Sequence, residues 1–528
     1  MIKINVTVKA DHCAADIKDA IASSYPIEAH ELKNIDILRK ALKLGGGEPE
    51  YDLTLAVSLD EEREKGLLKM KKRVSAAPVY DFVSKKCESE PRPVVVGAGP
   101  AGLFAALCLA EGGARPIVIE RGAPVEERSL AVDTFFCGGV LDRESNIQFG
   151  EGGAGAFSDG KLKVGGMDEY KHYVLSRFVE CGAPEDIIYT VGAHLGTDKL
   201  PKIVANLRNK IISLGGEFIY RARLCDIGVK NGAVIGAVYE KNGRTETVPT
   251  DKIFLATGHS ARDTFRMLYE KGVPMQSRGF GIGVRIEHPR EYINELIYKD
   301  KSLADTVGTA SYHLVTHLPS GRSVYSFCMC PGGTVVAAAS ETGGIVTNGM
   351  SEYARHGENS NAALLVSVTP SDFPSDSPLA GLELQNMIEK RAFSVGGGDY
   401  RAPVTRLSGL MAGKGEAPSG VLPTYPVGTR VAAADEYLPD FITESLMAGM
   451  KDFNDWMPGF AYPDAVLTGA ETRSTSPIRV LRSESGEALS VRGLYPLGEG
   501  AGYAGGIVSS AVDGVRIAEK SKSVSTPF

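Results

Sequence analysis

Pro93-Val94-Val95-Val96-Gly97-Ala98-Gly99-Pro100-Ala101-Gly102, read together with Ile117-Val118-Ile119-Glu120-Arg121 downstream, decides how this chain folds. Val94–Val96 is a β-branched apolar run suited to a strand buried on both faces. Three glycines follow, and then Leu103–Ala110 is apolar, alanine-rich and long enough for a helix. The second apolar run ends in Glu120, eighteen residues beyond Gly102. Strand, glycine turn, helix, strand and acid in this order make a dinucleotide-binding fingerprint in the context it requires. Gly97 allows the tight turn, Gly99 lets backbone approach a pyrophosphate, and Gly102 lets helix lie close on sheet. The helix start at Pro100, Ala101 and Gly102 turns free N–H groups and a positive dipole end toward the phosphates. Glu120, with Arg121 beside it, lies where a carboxylate accepts both ribose hydroxyls. An acid there disfavours a 2′-phosphate, so FAD or NAD is expected rather than NADP.

With 528 residues the chain exceeds one ordinary domain. A hydrophobic share of 43% and a charged share of 23% are ordinary for a soluble globular protein. The net charge of −7 argues against a general nucleic-acid binder. Eight cysteines are scattered without a C-x-x-C pair, which predicts reduced thiols in a cytoplasmic protein. No apolar run approaches the roughly eighteen residues of a membrane span, and Ile2–Lys9 alternates like a strand instead of forming the apolar core of a signal peptide.

Residues 1–90 precede the fingerprint and read as a small α+β domain, ferredoxin-like in outline. Ile2–Lys9 and Tyr51–Val57 have strand alternation, and Ala14–Ser23 and Ile35–Leu44 have helical spacing. A first part of the nucleotide domain is expected over 91–275, an inserted sheet-rich substrate or cap domain over 276–461, and the rest of the nucleotide domain over 462–528. Gly150–Ala156 is almost free of side chains and suits backbone packed on a ring or phosphate at Gly153 and Ala154, with Ser158 and Lys161 in reach. Asp198–Leu214 has helical spacing. Glu217–Tyr220, Leu224–Val229 and Val234–Tyr239 read as an antiparallel meander with Asn-Gly turns, leading into the strand and turn Ile253-Phe254-Leu255-Ala256-Thr257-Gly258. Near the end, Tyr495-Pro496-Leu497-Gly498-Glu499-Gly500 leads through Gly505-Gly506-Ile507 into a helical stretch.

These three segments in order resemble the glutathione-reductase-type FAD fold: an α/β, discontinuous Rossmann domain interrupted by a cap. The resemblance implies that backbone near Arg223–Leu224 reads the adenine and that Thr257–Gly258 borders the cofactor. It also implies that Glu499 accepts a ribityl hydroxyl, although Asp is usual there, and that the helix start at Gly505–Ile507 faces the flavin pyrimidine. With Gly258-His259-Ser260-Ala261-Arg262-Asp263, Phe327-Cys328-Met329-Cys330-Pro331-Gly332-Gly333 and Glu471–Arg479, nearly the whole chain is similar to the uncharacterised bacterial FAD-dependent dehydrogenases.

An FAD-dependent oxidoreductase is therefore expected, moving hydride or electrons through flavin N5 to or from a small organic substrate under the cap. No second glycine fingerprint follows a strand, so NADH or NADPH is expected as a transient donor at most. A flavin-sensing recruitment module and a non-redox flavin enzyme are the alternatives. His259 is a candidate proton donor. Arg473 and Arg479 are candidates for an anionic substrate or the flavin edge, each weighed against a structural salt bridge. Cys328 and Cys330 would share one face of a strand; a redox pair is conceivable there, but strand geometry strains a bridge, and small buried hydrophobes are the favoured reading. His313 and His317 lack a third ligand, so no metal site is expected.

Overall fold

The computed structural model describes residues 1–45, 48–69, 73–162, 165–300 and 302–522. Its centre is a five-stranded parallel sheet, ordered Leu494–Pro496, Ile253–Leu255, Val94–Val96, Ile117–Ile119, Glu217–Ile219. The fingerprint strand is the middle one, and every residue of its two neighbours is also buried. That is why these strands read as continuous apolar runs rather than alternating ones. The helix Pro100–Glu111 covers the sheet with ten consecutive buried residues, Ala101–Ala110. The C-terminal helix Ile507–Ser521 packs on it so closely that a Cβ at Gly514 would lie 2.2 Å from the Ala101 carbonyl oxygen.

Three antiparallel strands, Arg223–Lys230, Ala233–Lys241 and Arg244–Pro249, form the meander that lies in the chain between Glu217–Ile219 and Ile253–Leu255. Glu217–Ile219 is not part of it, contrary to the sequence reading: it extends the parallel sheet beside Ile117–Ile119.

The inserted domain is built on a seven-stranded sheet whose long members are Ser323–Cys330, Asn359–Val368 and Phe280–Pro289. Helices Ala380–Gly396 and Asp440–Trp456 seal it through one apolar core holding Ile282, Val324, Leu364, Ile388, Leu446 and Phe453. Val466–Glu471 is a strand of this same sheet, paired with Phe280–Pro289 and Ala402–Arg406. The insertion therefore runs past residue 461, and the crossing back is marked by Ile478–Val480 pairing with Met275–Ser277.

The N-terminal unit has the order strand, helix, strand, strand, helix, strand, and its antiparallel sheet runs Asn34–Lys43, Glu50–Ser58, Ile2–Lys9, Ser75–Ala76. The helix expected over Ile35–Leu44 is a strand. Ile35 and Ile37 sit on alternate positions against Val57 and Leu55, and a register shift before Arg39 displaces the residues that gave the helical spacing. The second helix is Glu61–Leu68. Among the described residues no helix is long and apolar enough to cross a membrane.

Candidate active site

The strand ends of the parallel sheet, the second glycine loop and several strands of the inserted domain open onto a single cleft. Gly97, Gly99, Pro100, Ala101, Glu120, Arg121, Gly153, Ala154, Ser158, Leu224, Thr257, Gly258, His259, Arg473, Glu499, Gly505, Gly506 and Ile507 all line it. Gly102, Lys161, Gly498 and Arg479 do not.

Gly97 turns with φ +99°, and a Cβ there would lie 2.4 Å from the Ala256 carbonyl oxygen. A Cβ on Gly102 would lie 1.9 Å from the Gly97 carbonyl oxygen, so this glycine sets how closely helix meets sheet without touching the cleft. The two glycine loops meet face to face: a Cβ on Gly153 would come 3.0 Å from Gly99 Cα. Such bare backbone walls suit a pyrophosphate. Gly498 is also structural, with its N–H donating to Asp513 Oδ2 at 2.8 Å.

Glu120 is the hub of one end of the cleft. It is 4% exposed and accepts from the N–H groups of Ala98 (2.7 Å), Gly122 (2.9 Å) and Gly150 (3.0 Å). It thereby ties fingerprint turn, strand end and second glycine loop together. Its Oε2 takes only the Ala98 bond, which leaves acceptor capacity for a hydroxyl. Arg121 supports this end from behind, paired with Glu144 and Asp263 and stacked 4.0 Å over Phe149.

At the other end Glu499 is half-buried, and its carboxylate accepts no hydrogen bond from the described residues. Burial pushes its pKa up to about 7, the Cys328 side chain adds to the rise, and Arg278 opposes it. The helix beginning at Ile507 opens beside it, and a Cβ on Gly505 would meet nothing within 4 Å. An acceptor without a protein partner and an open helix start fit a polyhydroxyl chain followed by an electron-rich ring. The residues present thus fit FAD.

The inserted domain contributes Phe327, Cys328, Asn348, Glu471, Arg473 and Ser474. Arg473 is not free. Nε and Nη2 both bond Glu389 at 2.9 Å, and Nη1 donates to Ser340 Oγ at 2.6 Å. Glu389 also receives Arg262 and Thr472, both at 2.8 Å. Burial opposes its charge, but Arg262 and Arg473 overcome that and hold its pKa at about 2. Arg479 lies under the third glycine turn, donating twice to the Gly502 carbonyl, so its role is structural. His259 reaches the cleft, its Nδ1 3.1 Å from Ser260 Oγ. Burial first, then Arg473 and Arg262, lower its pKa to about 4. At neutral pH it is therefore an uncharged imidazole, so any proton it donates comes from a neutral ring N–H. Ser158 Oγ donates to the Gly155 carbonyl (2.8 Å) and accepts the Gly160 N–H (3.0 Å), bracing its own loop. Lys161 turns away to the Met329 carbonyl and Asp159. Among the described residues no cluster of His, Cys, Asp or Glu could hold a metal ion.

Cys328 departs from the regular strand that the sequence reading assumed. The register of its strand breaks between Phe327 and Cys330, and Cys328 takes φ +42°. A non-glycine residue there costs roughly 1–3 kcal/mol, a strain that collects at functional sites. The Cys-Met-Cys-Pro-Gly-Gly stretch carried the signal, in turn residues directly after the pair. Asn348 and Glu471 had none, because their placement depends on strand pairing across distant sequence.

A family model described as "FAD-dependent protein, C-terminal domain-like" matches residues 279–474, and one described as "FAD binding domain" matches residues 92–153. An uncharacterised protein of Clostridium beijerinckii is 42% identical over 522 residues, covering 98% of this chain and 97% of its own. Similar solved structures include a 3-ketosteroid-delta4-(5alpha)-dehydrogenase from Rhodococcus jostii RHA1 (13% identity, TM-score 0.35, covering 85% of this chain and 98% of that one). Another is the open conformation of a flavocytochrome c3 fumarate reductase (14% identity, TM-score 0.36, covering 88% of this chain and 80% of that one).

Proposed function

The chain belongs to the family of uncharacterised FAD-dependent proteins that includes this Clostridium beijerinckii relative, and on that premise we propose an FAD-dependent oxidoreductase acting on a small organic molecule under the inserted sheet. One observation carries the reading: glycine segments from both ends of the nucleotide domain and polar side chains of the insertion line one cleft. We read the nucleotide domain as glutathione-reductase-type and the N-terminal unit as ferredoxin-like. Eight free thiols support a cytoplasmic setting.

FAD supplies two-electron transfer at its N5 when bound. Gly97, Gly99 and the Pro100 helix start would hold its pyrophosphate, Glu120 its adenosine ribose, Glu499 its ribityl chain, and Gly505–Ile507 its pyrimidine edge. The N–H groups and dipole of the Ile507 helix favour negative charge there. On the substrate side, Glu389 fixes the Arg473 guanidinium as a preformed positive wall, and neutral His259 can donate or accept a proton at a ring nitrogen. Asn348 and Ser474 offer further hydrogen bonds, and Phe327 an apolar face that keeps water out. That lining suits a polar, compact substrate.

Purified protein should carry, or take up, one FAD per chain and lose the flavin absorbance anaerobically with NADH, NADPH or a reduced metabolite. Absence of flavin binding would refute the reading.

A further inference from the structure

Two of the eight cysteines sit where the chain's other thiols do not. Cys328 lines the cleft together with Glu499, Gly505, Gly506 and Ile507, and Cys330 lies directly behind it. Cys330 turns back over its neighbour, with Sγ donating to the Cys328 carbonyl at 3.2 Å. The intervening backbone is pinned by two cations: Arg285 Nη1 donates to the Cys328 carbonyl at 3.1 Å, and Lys161 Nζ donates to the Met329 carbonyl. Arg285 is itself immobile, buried and bidentate on Glu471.

We propose that Cys328 and Cys330 are a redox pair that exchanges two electrons with the flavin of this cleft, Cys328 on the flavin side and Cys330 as its partner. The inference rests on the oxidoreductase reading and deepens it. Forward, two S–H bonds break and one S–S bond forms. Two electrons and one proton pass to FAD and the second proton to water; reversal restores both thiols.

Three features of the geometry favour this over two small core residues. A left-handed cysteine is a strained choice for packing alone. Even fully extended chain sets Cα atoms two residues apart at roughly 6.6 Å, within the range a disulfide spans, and here the Cys330 thiol is already folded back onto the Cys328 carbonyl. Lys161 and Arg285 supply the positive surroundings that favour a thiolate. The charge preference falls the same way. Interaction with the neighbouring Cys330 pulls Cys328 well below the usual thiol range, with Lys161 and Arg285 adding to it against burial and Asp159, while the same interaction and burial raise Cys330. Cys108 and Cys181, by contrast, are buried in the apolar core of the nucleotide domain.

The test uses full-length protein with FAD bound, and Cys328→Ser and Cys330→Ser beside wild type. After oxidation with diamide and its removal, anaerobic dithionite titration should take four electrons per FAD in wild type and two in either variant. Apoprotein treated with diamide should lose 2 Da, with one peptide protecting both Cys328 and Cys330 from N-ethylmaleimide. Two electrons per FAD in wild type, with both thiols separately alkylated after diamide, would overturn the pair while leaving the flavin reading intact. Failure of FAD to bind would sink the oxidoreductase reading itself, and the apoprotein mapping still decides whether the bridge forms.

Discussion

Replacing Glu389 by Gln should strike both the stability of the inserted domain and the substrate wall of the cleft. The carboxylate is fully buried between Arg262 (2.8 Å) and Arg473 (2.9 Å). Its pKa lies at about 2 rather than the ordinary 4.5, which is worth ~3 kcal/mol of folding stability at neutral pH. Breaking a buried pair by removing one partner gives a similar figure, about 3–5 kcal/mol, because the guanidiniums stay behind uncompensated. A depressed carboxylate stabilises the fold fully above its unfolded pKa and loses that contribution as pH falls toward the folded one. The gap between wild type and Glu389→Gln should therefore be widest above pH 5, narrow by ~0.4 kcal/mol at pH 4.5 and by ~1.4 kcal/mol at pH 3.5. Urea unfolding followed by tryptophan fluorescence suits the measurement, since the only tryptophan, Trp456, ends a helix of that domain. A loss under about 1 kcal/mol at pH 7, or a gap independent of pH, would refute the claim that this ion cluster holds the wall in place.

Gly102→Ala forces a methyl to within 1.9 Å of the Gly97 carbonyl oxygen, so FAD affinity should fall at least tenfold with ~1–3 kcal/mol of overpacking strain, read by flavin fluorescence and thermal melts. Glu499 is raised to about 7, so its folded form prefers the proton and loses stability as pH rises from 5 through 7. Glu499→Gln apoprotein should gain on wild type by ~1–3 kcal/mol between pH 5 and pH 8.5, and equal pH profiles would dismiss the assignment. The His259 ring should show a proton NMR midpoint near pH 4 and stay flat from 6 to 8. Arg479→Lys should perturb the glycine turn and FAD retention without changing substrate KM, because its contacts are to the Gly502 carbonyl.

What could be read in advance follows the range of the interactions concerned. Gly97, Gly99, Gly102 and Glu120 serve one local turn, so their spacing alone placed them. The third glycine segment was equally legible, because Gly498–Ile507 repeats the pattern of strand, turn and helix. Ile35–Leu44 misled because its apolar residues satisfy a helical spacing almost as well as an alternating one, and only pairing with Glu50–Ser58 decides between them. Arg473 and Arg479, six residues apart, look alike in sequence. Which meets the cleft depends on Glu389, more than eighty residues earlier in the chain. Cys328 required knowledge of a register shift against Asn359–Val368, of which the turn residues after the pair give only a local hint.

The sheet's first neighbour to Ile253–Leu255 on its outer side comes from Leu494–Pro496, and the helix after it is anchored at its far end by Glu519, which bonds Ser84 Oγ at 3.1 Å. A growing polypeptide therefore emerges from the ribosome with its nucleotide seat unfinished until residue 507 and the helix after it have been made. Gly505–Ile507 and the helix behind them follow every other segment that lines the cleft, so premature termination anywhere before residue 507 yields a chain with an incomplete cradle.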